Sequence, residues 1–164
     1  MAVVIECPRD AMQGITDWIP TAIKIRYLNL LLQVGFPVLD FGSFVSPKAI
    51  PQLADTKEVL SALHLNPATK LLAIVANSRG ADEALTYPEI SFLGYPFSIS
   101  ETFQLRNTNQ TIEKAKEMLL QIQERCVKAN RELVVYLSMG FGNPYNDPWS
   151  LDLLEEWAVE MKGA

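Results

Sequence analysis

Arg9 and Asp10 stand side by side in Pro8-Arg9-Asp10-Ala11-Met12-Gln13, one residue beyond the strand-like run Val3 to Glu6. A guanidinium is permanently charged and planar, and its fork of N–H groups suits an oxygen that gains negative charge during a reaction. The aspartate beside it offers a hard oxygen ligand of the kind that magnesium and manganese take. Gln13, Asp40 and Ser43 are types that orient such groups or hold a substrate. Asn77, Arg79 and Ser138 supply further polar side chains at the ends of later apolar runs. Each also has a plainer reading. Arg9 and Asp10 can be a structural ion pair, and Asp40 a buried structural carboxylate. Ser43, Ser46 and Ser138 can simply shape loops, and Asn77 with Arg79 can fix the segment after an apolar run.

These residues share one property: each lies where a strand-like run gives out. The runs are Val3 to Glu6, Val38 to Phe41, Leu71 to Asn77, Ile90 to Leu93 and Leu133 to Met139. They are continuous rather than alternating, as expected of parallel strands covered on both faces. Helical patterns lie between them. Pro20 suits a first turn, and Ile23, Tyr27, Leu30 and Val34 then form an apolar stripe that Gly35 ends. Asp55 with Glu58 matches a capping box ahead of Val59, Leu60 and Leu63. Thr111 opens a helix with Ile112, Ala115, Leu119, Ile122, Cys126 and Ala129 on one face. Asp147-Pro148 signals a last helix, with Leu151, Leu154, Ala158 and Met161 inward. Gly94-Tyr95-Pro96 reads as a turn.

Repeated strand and helix imply parallel pairing with right-handed crossovers. An open doubly wound sheet and a (β/α)8 barrel both fit this order. Five polar strand exits favour the barrel, whose chemistry collects at the C-terminal ends of the strands. An open sheet more often carries one glycine-rich phosphate loop, and no such motif is present. The expected fold is therefore α/β, a partial (β/α)8 TIM barrel of about five units over residues 1–164. A full barrel takes about 250 residues and eight strands, so the chain reads as an N-terminal portion that stops before strands 6–8.

The composition, 49% hydrophobic and 20% charged, is that of a globular core. A net charge of −5 argues against a nucleic-acid surface, and the apolar runs are too short to span a bilayer. With no secretory signal in view and only Cys7 and Cys126 as thiols, a reducing cytoplasmic location is expected. Cys126 falls on an apolar helix stripe and reads as core. His64, Trp18, Trp149 and Trp157 read as structural, and Glu155-Glu156 as a solvated surface.

Taken in order, the motifs resemble those of hydroxymethylglutaryl-CoA lyases. Pro8-Arg9-Asp10-x-x-Gln13 is similar to the family's first motif, and Ser43-Phe44-Val45-Ser46-Pro47-Lys48 with Pro51-Gln52 to its strand 2 loop. Asn77-x-Arg79-Gly80, Ser100-Glu101-x-Phe103, Asn107-x-Asn109, Tyr136-x-Ser138 and Gly142-x-Pro144-Tyr145 follow in sequence. The resemblance implies a carbon–carbon lyase that uses a divalent metal, Mg2+ or Mn2+, on an acyl-CoA thioester. It implies Arg9, Gln13 and Asp40 as catalytic residues and Asp10 as metal ligand. Ser43, Asn77, Arg79 and Ser138 would then bind substrate.

The departures are as specific as the matches. The family also uses an H-x-H pair, an Asn and a cysteine on a glycine-rich loop from later strands. None can be assigned here, since His64 is the sole histidine. Cys7 and Ala11 stand where the family has glycine, and Asp40 stands where the wider superfamily usually has Glu. The chain alone is expected to be inactive, with the rest of the barrel or a second copy as its partner. A related synthase or aldolase, or a noncatalytic half-barrel, is the alternative.

Overall fold

The computed structural model describes residues 3–163. Five strands, β1 (Ile5–Glu6), β2 (Val38–Ser43), β3 (Lys70–Ile74), β4 (Ile90–Ser98) and β5 (Glu132–Ser138), form one sheet in sequential order. Every pairing is parallel. With a helical crossover between successive strands, this is a curled, partial TIM barrel. The helices are α1 (Pro8–Gln13), α2 (Thr21–Val34), α3 (Thr56–Ser61), α4 (Ser78–Ala84), α5 (Glu101–Thr108), α6 (Ile112–Lys128) and α7 (Leu151–Gly163). A 3-10 turn, Pro51–Leu53, precedes α3. No described helix is long and apolar enough to cross a membrane.

Both faces of the sheet are apolar, which is why the strands are continuous apolar runs. Leu71, Ala73 and Val75 point outward into the main core with Leu28, Leu32, Leu119 and Ile122 from the helices. Leu72 and Ile74 point inward with Val38, Ile5, Phe92, Val134 and Tyr136. Gly94 lets this inner layer close: a Cβ there would lie 2.5 Å from Ile74 Cδ1 and 2.8 Å from Leu72 Cδ2. Thr111 accepts from the Lys114 N–H and starts α6, whose Ala115, Leu119, Ile122 and Cys126 are buried as their spacing predicts.

Several local expectations are corrected. Val3 and Val4 are exposed and precede β1. Gly94-Tyr95-Pro96 lies within β4 rather than forming a turn. β3 pairs with β4 only as far as Ile74 opposite Gly94, and Pro96 is opposite Tyr136 of β5. Its missing N–H therefore falls where one side of the strand has no ladder to supply. In α2 the stripe Ile23, Tyr27, Leu30 and Val34 is exposed, and Lys24, Leu28 and Leu32 are buried. Asp55 makes no side-chain cap and binds Lys24 and Thr21 instead. Asp147 does not start α7. Ser150 accepts from the Leu153 N–H there, and the Asp147 carboxylate accepts from Ser100 and Thr102 at the start of α5. Leu154 and Met161 are partly covered, whereas Leu151 and Ala158 are exposed.

Candidate active site

The arrangement begins with where β1 ends. Pro8 occupies the first turn of α1, so the chain turns from strand to helix at Cys7 and carries Arg9 inward. Arg9 is 7% exposed and Asp40, from β2, is 0% exposed. Arg9 Nε donates to both Asp40 oxygens at 3.1 Å, and Nη2 donates to Oδ2 at 2.7 Å. Its Nη1 donates to Asp10 Oδ1 at 3.1 Å and to Gln13 Oε1 at 2.8 Å. From β5, the Tyr136 hydroxyl donates to Asp40 Oδ2 at 3.3 Å. Among the described residues, one Nη2 N–H of Arg9 has no partner.

The electrostatics follow from burial. Removal from water pushes the Asp40 carboxyl up from its ordinary value, against the pull of the Arg9 and Tyr136 hydrogen bonds. Burial alone would lower Arg9, but the Asp40 carboxylate more than offsets it and the guanidinium is held above its usual value. Burial and the Asp40 charge push the Tyr136 phenol up, and the same two causes raise the Cys7 thiol. At neutral pH the phenol is a hydrogen-bond donor and the thiol is not a nucleophile.

This cluster opens on a cavity of about 240 Å3 at the C-terminal ends of the strands. Arg9, Asp10 and Gln13 form one wall, and Tyr136 and Ser138 of β5 lie across it. Phe103, Asn107 and Thr108 of α5 complete the rim, over an apolar floor that includes Ile74 and Pro96. Four of the residues singled out from sequence line the cavity, Arg9, Asp10, Gln13 and Ser138, and Asp40 joins them from behind through Arg9. The other three do not line this cavity. Ser43 and Arg79 line a separate groove of about 330 Å3. Ser43 is braced by Thr56 and accepts from the Val45 N–H, and Asn77 caps α4 by accepting from the Gly80 N–H. Tyr136 and the α5 rim carried no assigned role in the sequence. Their only signal was membership of motifs that match the family.

Among the described residues the donor set for a divalent cation is incomplete. Asp10 is exposed, and its Oδ2 has no protein partner, so it can give one hard oxygen. Among the described residues no cluster of three His, Cys, Asp or Glu side chains exists. His64 is exposed on the segment after α3, away from this cluster.

No family model matches the chain. Mouse mitochondrial hydroxymethylglutaryl-CoA lyase is 33% identical over 156 residues, which is 94% of this chain and 47% of that protein. The crystal structure of the Bacillus subtilis HMG-CoA lyase superposes with a TM-score of 0.88 at 32% identity, covering 97% of this chain and 55% of that one. An HMG-CoA lyase from Acinetobacter baumannii, in complex with coenzyme A and 3-methylmalate, superposes with a TM-score of 0.87 at 29% identity, covering 98% and 53%. The chain spans about half the length of the relatives it matches. By sequence and by fold it is similar to hydroxymethylglutaryl-CoA lyases, over about half of their length and with the partial barrel described above.

Proposed function

We propose that this chain supplies half of the active site of a carbon–carbon lyase that cleaves 3-hydroxy-3-methylglutaryl-CoA to acetyl-CoA and acetoacetate. The observation that carries the reading is the convergence of Arg9, Asp10, Tyr136 and Ser138 on one cavity, with Asp40 of β2 buried behind them and bonded to Arg9 and Tyr136. In this reaction the substrate's 3-hydroxyl gives its proton to a general base, which the remaining units of the barrel would supply, and its C–O bond becomes a carbonyl. The C2–C3 bond breaks, and its electron pair moves onto the thioester as an enolate, which is then protonated. The free Nη2 N–H of Arg9 is suited to the enolate oxygen, and pre-set donors of this kind lower the barrier by roughly 3–4 kcal/mol. Asp40 holds Arg9 charged and oriented, and Gln13 fixes its other edge.

A bound divalent ion, Mg2+ or Mn2+, would lower the pKa of the substrate hydroxyl and fix its geometry. Asp10 would be this chain's ligand to it, with the remaining ligands coming from the rest of the barrel. Ser138 would contact substrate directly. Ser43, Asn77 and Arg79 would act on substrate only through the loops after β2 and β3. We assign the protein to a reducing, cytoplasmic compartment, which suits free Cys7 and Cys126.

The test joins this chain to strand–helix units that would complete an eight-stranded barrel, adds Mg2+ or Mn2+ and measures thioester cleavage. Cleavage lost by about 100-fold or more in Arg9→Met and in Asp10→Ala is the expected result. A folded, metal-loaded barrel with no cleavage would sink the proposal. Condensation of acetyl-CoA with a keto acid would move the chain to the related synthases.

A further inference from the structure

β1 is two residues long and pairs on one side only, and α1 is a six-residue helix with no side-chain cap. Residues 14–20 after it contain no helix or strand. Such a segment is poorly held by its own secondary structure, yet it carries one wall of the cavity. Arg9 ties the front of α1 to Asp40, which leaves the far end to be fixed by something else.

That something is built from Gln52 and Lys24. Gln52, 5% exposed in the 3-10 turn, spends its whole side chain on the segment after α1. Its Nε2 donates to the Ile15 carbonyl at 2.9 Å and to the Asp17 carbonyl at 2.8 Å, and its Oε1 accepts from the Ile19 N–H at 3.0 Å. Lys24, 1% exposed in α2, donates to the Gln52 carbonyl and to both Asp55 oxygens, at 2.8 and 3.0 Å. The Trp18 ring lies 3.8 Å from Lys24 Nζ, and Thr21 donates to Asp55 Oδ2 at 2.8 Å. The loop that holds Gln52 also presents Val45 and Ile50 to the cavity. Two walls are therefore bolted together from behind.

We infer that Gln52, seated by Lys24 and Asp55, is a positioning residue that sets α1, and with it Asp10 and Gln13, against the Arg9–Asp40–Tyr136 cluster. A glutamine is needed because two carbonyls and one N–H must be met by one side chain. Glutamate has no donors, methionine has neither donor nor amide oxygen, and asparagine is one methylene short. The inference rests on the proposed lyase only for what the wall serves.

The test is amide hydrogen exchange of the 164-residue chain, together with the Arg9 Nε–H resonance. In Gln52→Met, exchange at residues 10–19 is expected to rise about tenfold or more relative to β3 and β4, and the Arg9 Nε–H signal to shift. Gln52→Glu keeps the acceptor for Ile19, so its effect should concentrate at residues 15–17. A purely structural role would speed exchange evenly with the loss of global stability and leave the Arg9 signal in place. Either that result, or unchanged exchange at residues 10–19, overturns the inference. Should Gln52→Met fail to fold, Gln52→Glu carries the same test. In a completed barrel Gln52→Met lowers kcat more than it raises KM. The exchange result is read without any catalysis, so it stands or falls apart from the lyase activity.

Discussion

Arg9 and Asp40 sit on opposite sides of one energetic question. Taking both charges out of water is costly, and three contacts between them offset it. Removing one partner strands the other. Arg9→Met is expected to destabilise the chain by about 3–5 kcal/mol, read as a fall in the urea midpoint. Asp10 is 72% exposed, so Asp10→Asn should cost no more than about 1 kcal/mol. That asymmetry makes Asp10 the cleaner site for testing metal binding. A fold as sensitive to Asp10→Asn as to Arg9→Met would refute the geometry. Tyr136 adds a pH signature. The folded Asp40 carboxyl lies above its ordinary value, so the native state binds the extra proton and stability falls as pH rises through that interval. The Tyr136 hydrogen bond pulls the value down, so Tyr136→Phe should push it further up and extend the interval to higher pH. A carboxyl 13C titration of Asp40 checks this, and a downward movement would contradict it. Arg9 and Asp40 were legible in sequence because each stands where an apolar strand-like run gives out. Tyr136 was not, because an aromatic in a valine-rich strand looks like core, and its partner lies 96 residues away.

Elements were legible where one period dominated. α6 has a single apolar face and folds as read. α2 carries two, and nothing in its periodicity tells Ile23, Tyr27, Leu30 and Val34 from the face of Leu28 and Leu32. A lysine in the second face even points the wrong way, since its burial is intelligible only once Asp55 is seen beside it. Asp147 misled for a related reason: Asp-Pro is a good helix start, but the carboxylate was taken by a different helix. Ser100 and Thr102 hydroxyls and the Thr102 N–H hold it, so the loop after β5 is braced against the N-terminus of α5. Those bonds, the Ser100 hydroxyl first, lower the Asp147 carboxyl below its ordinary value. Its stabilising effect is therefore complete above the unfolded aspartate value, about 3.9, and is lost as pH falls through the lower folded value. Thermal melts should show Asp147→Asn less stable than the parent near neutral pH, with the gap closing in acid. A gap that widens in acid would rule out this brace. The α5 rim of Phe103, Asn107 and Thr108 depends on it.

At the scale of the whole molecule, a sheet of sequential parallel strands has two open edges unless it closes. Beside β1, Ala11, Ile15, Ile19, Ile23 and Tyr27 line an apolar groove of about 280 Å3. Beside β5, whose residues after Glu132 are only half-buried, α7 has no buried residue and exposes Leu151 and Val159. In an eight-stranded barrel these two flanks are where the first and last supplied units would pack. The strand pattern made the half-barrel legible, but an apolar residue on an open flank reads the same as one facing the core. Exposed apolar area of this kind drives association. The isolated chain is therefore expected to self-associate as its concentration rises in sedimentation velocity. Ile23→Lys with Tyr27→Lys should shift it toward monomer at a stability cost within about 0.5 kcal/mol per site. The same pair should block docking of the remaining strand–helix units, because a lysine on each turn of α2 would have to be buried there. A double variant that still completes the barrel would mean that the α2 face is not the closing edge.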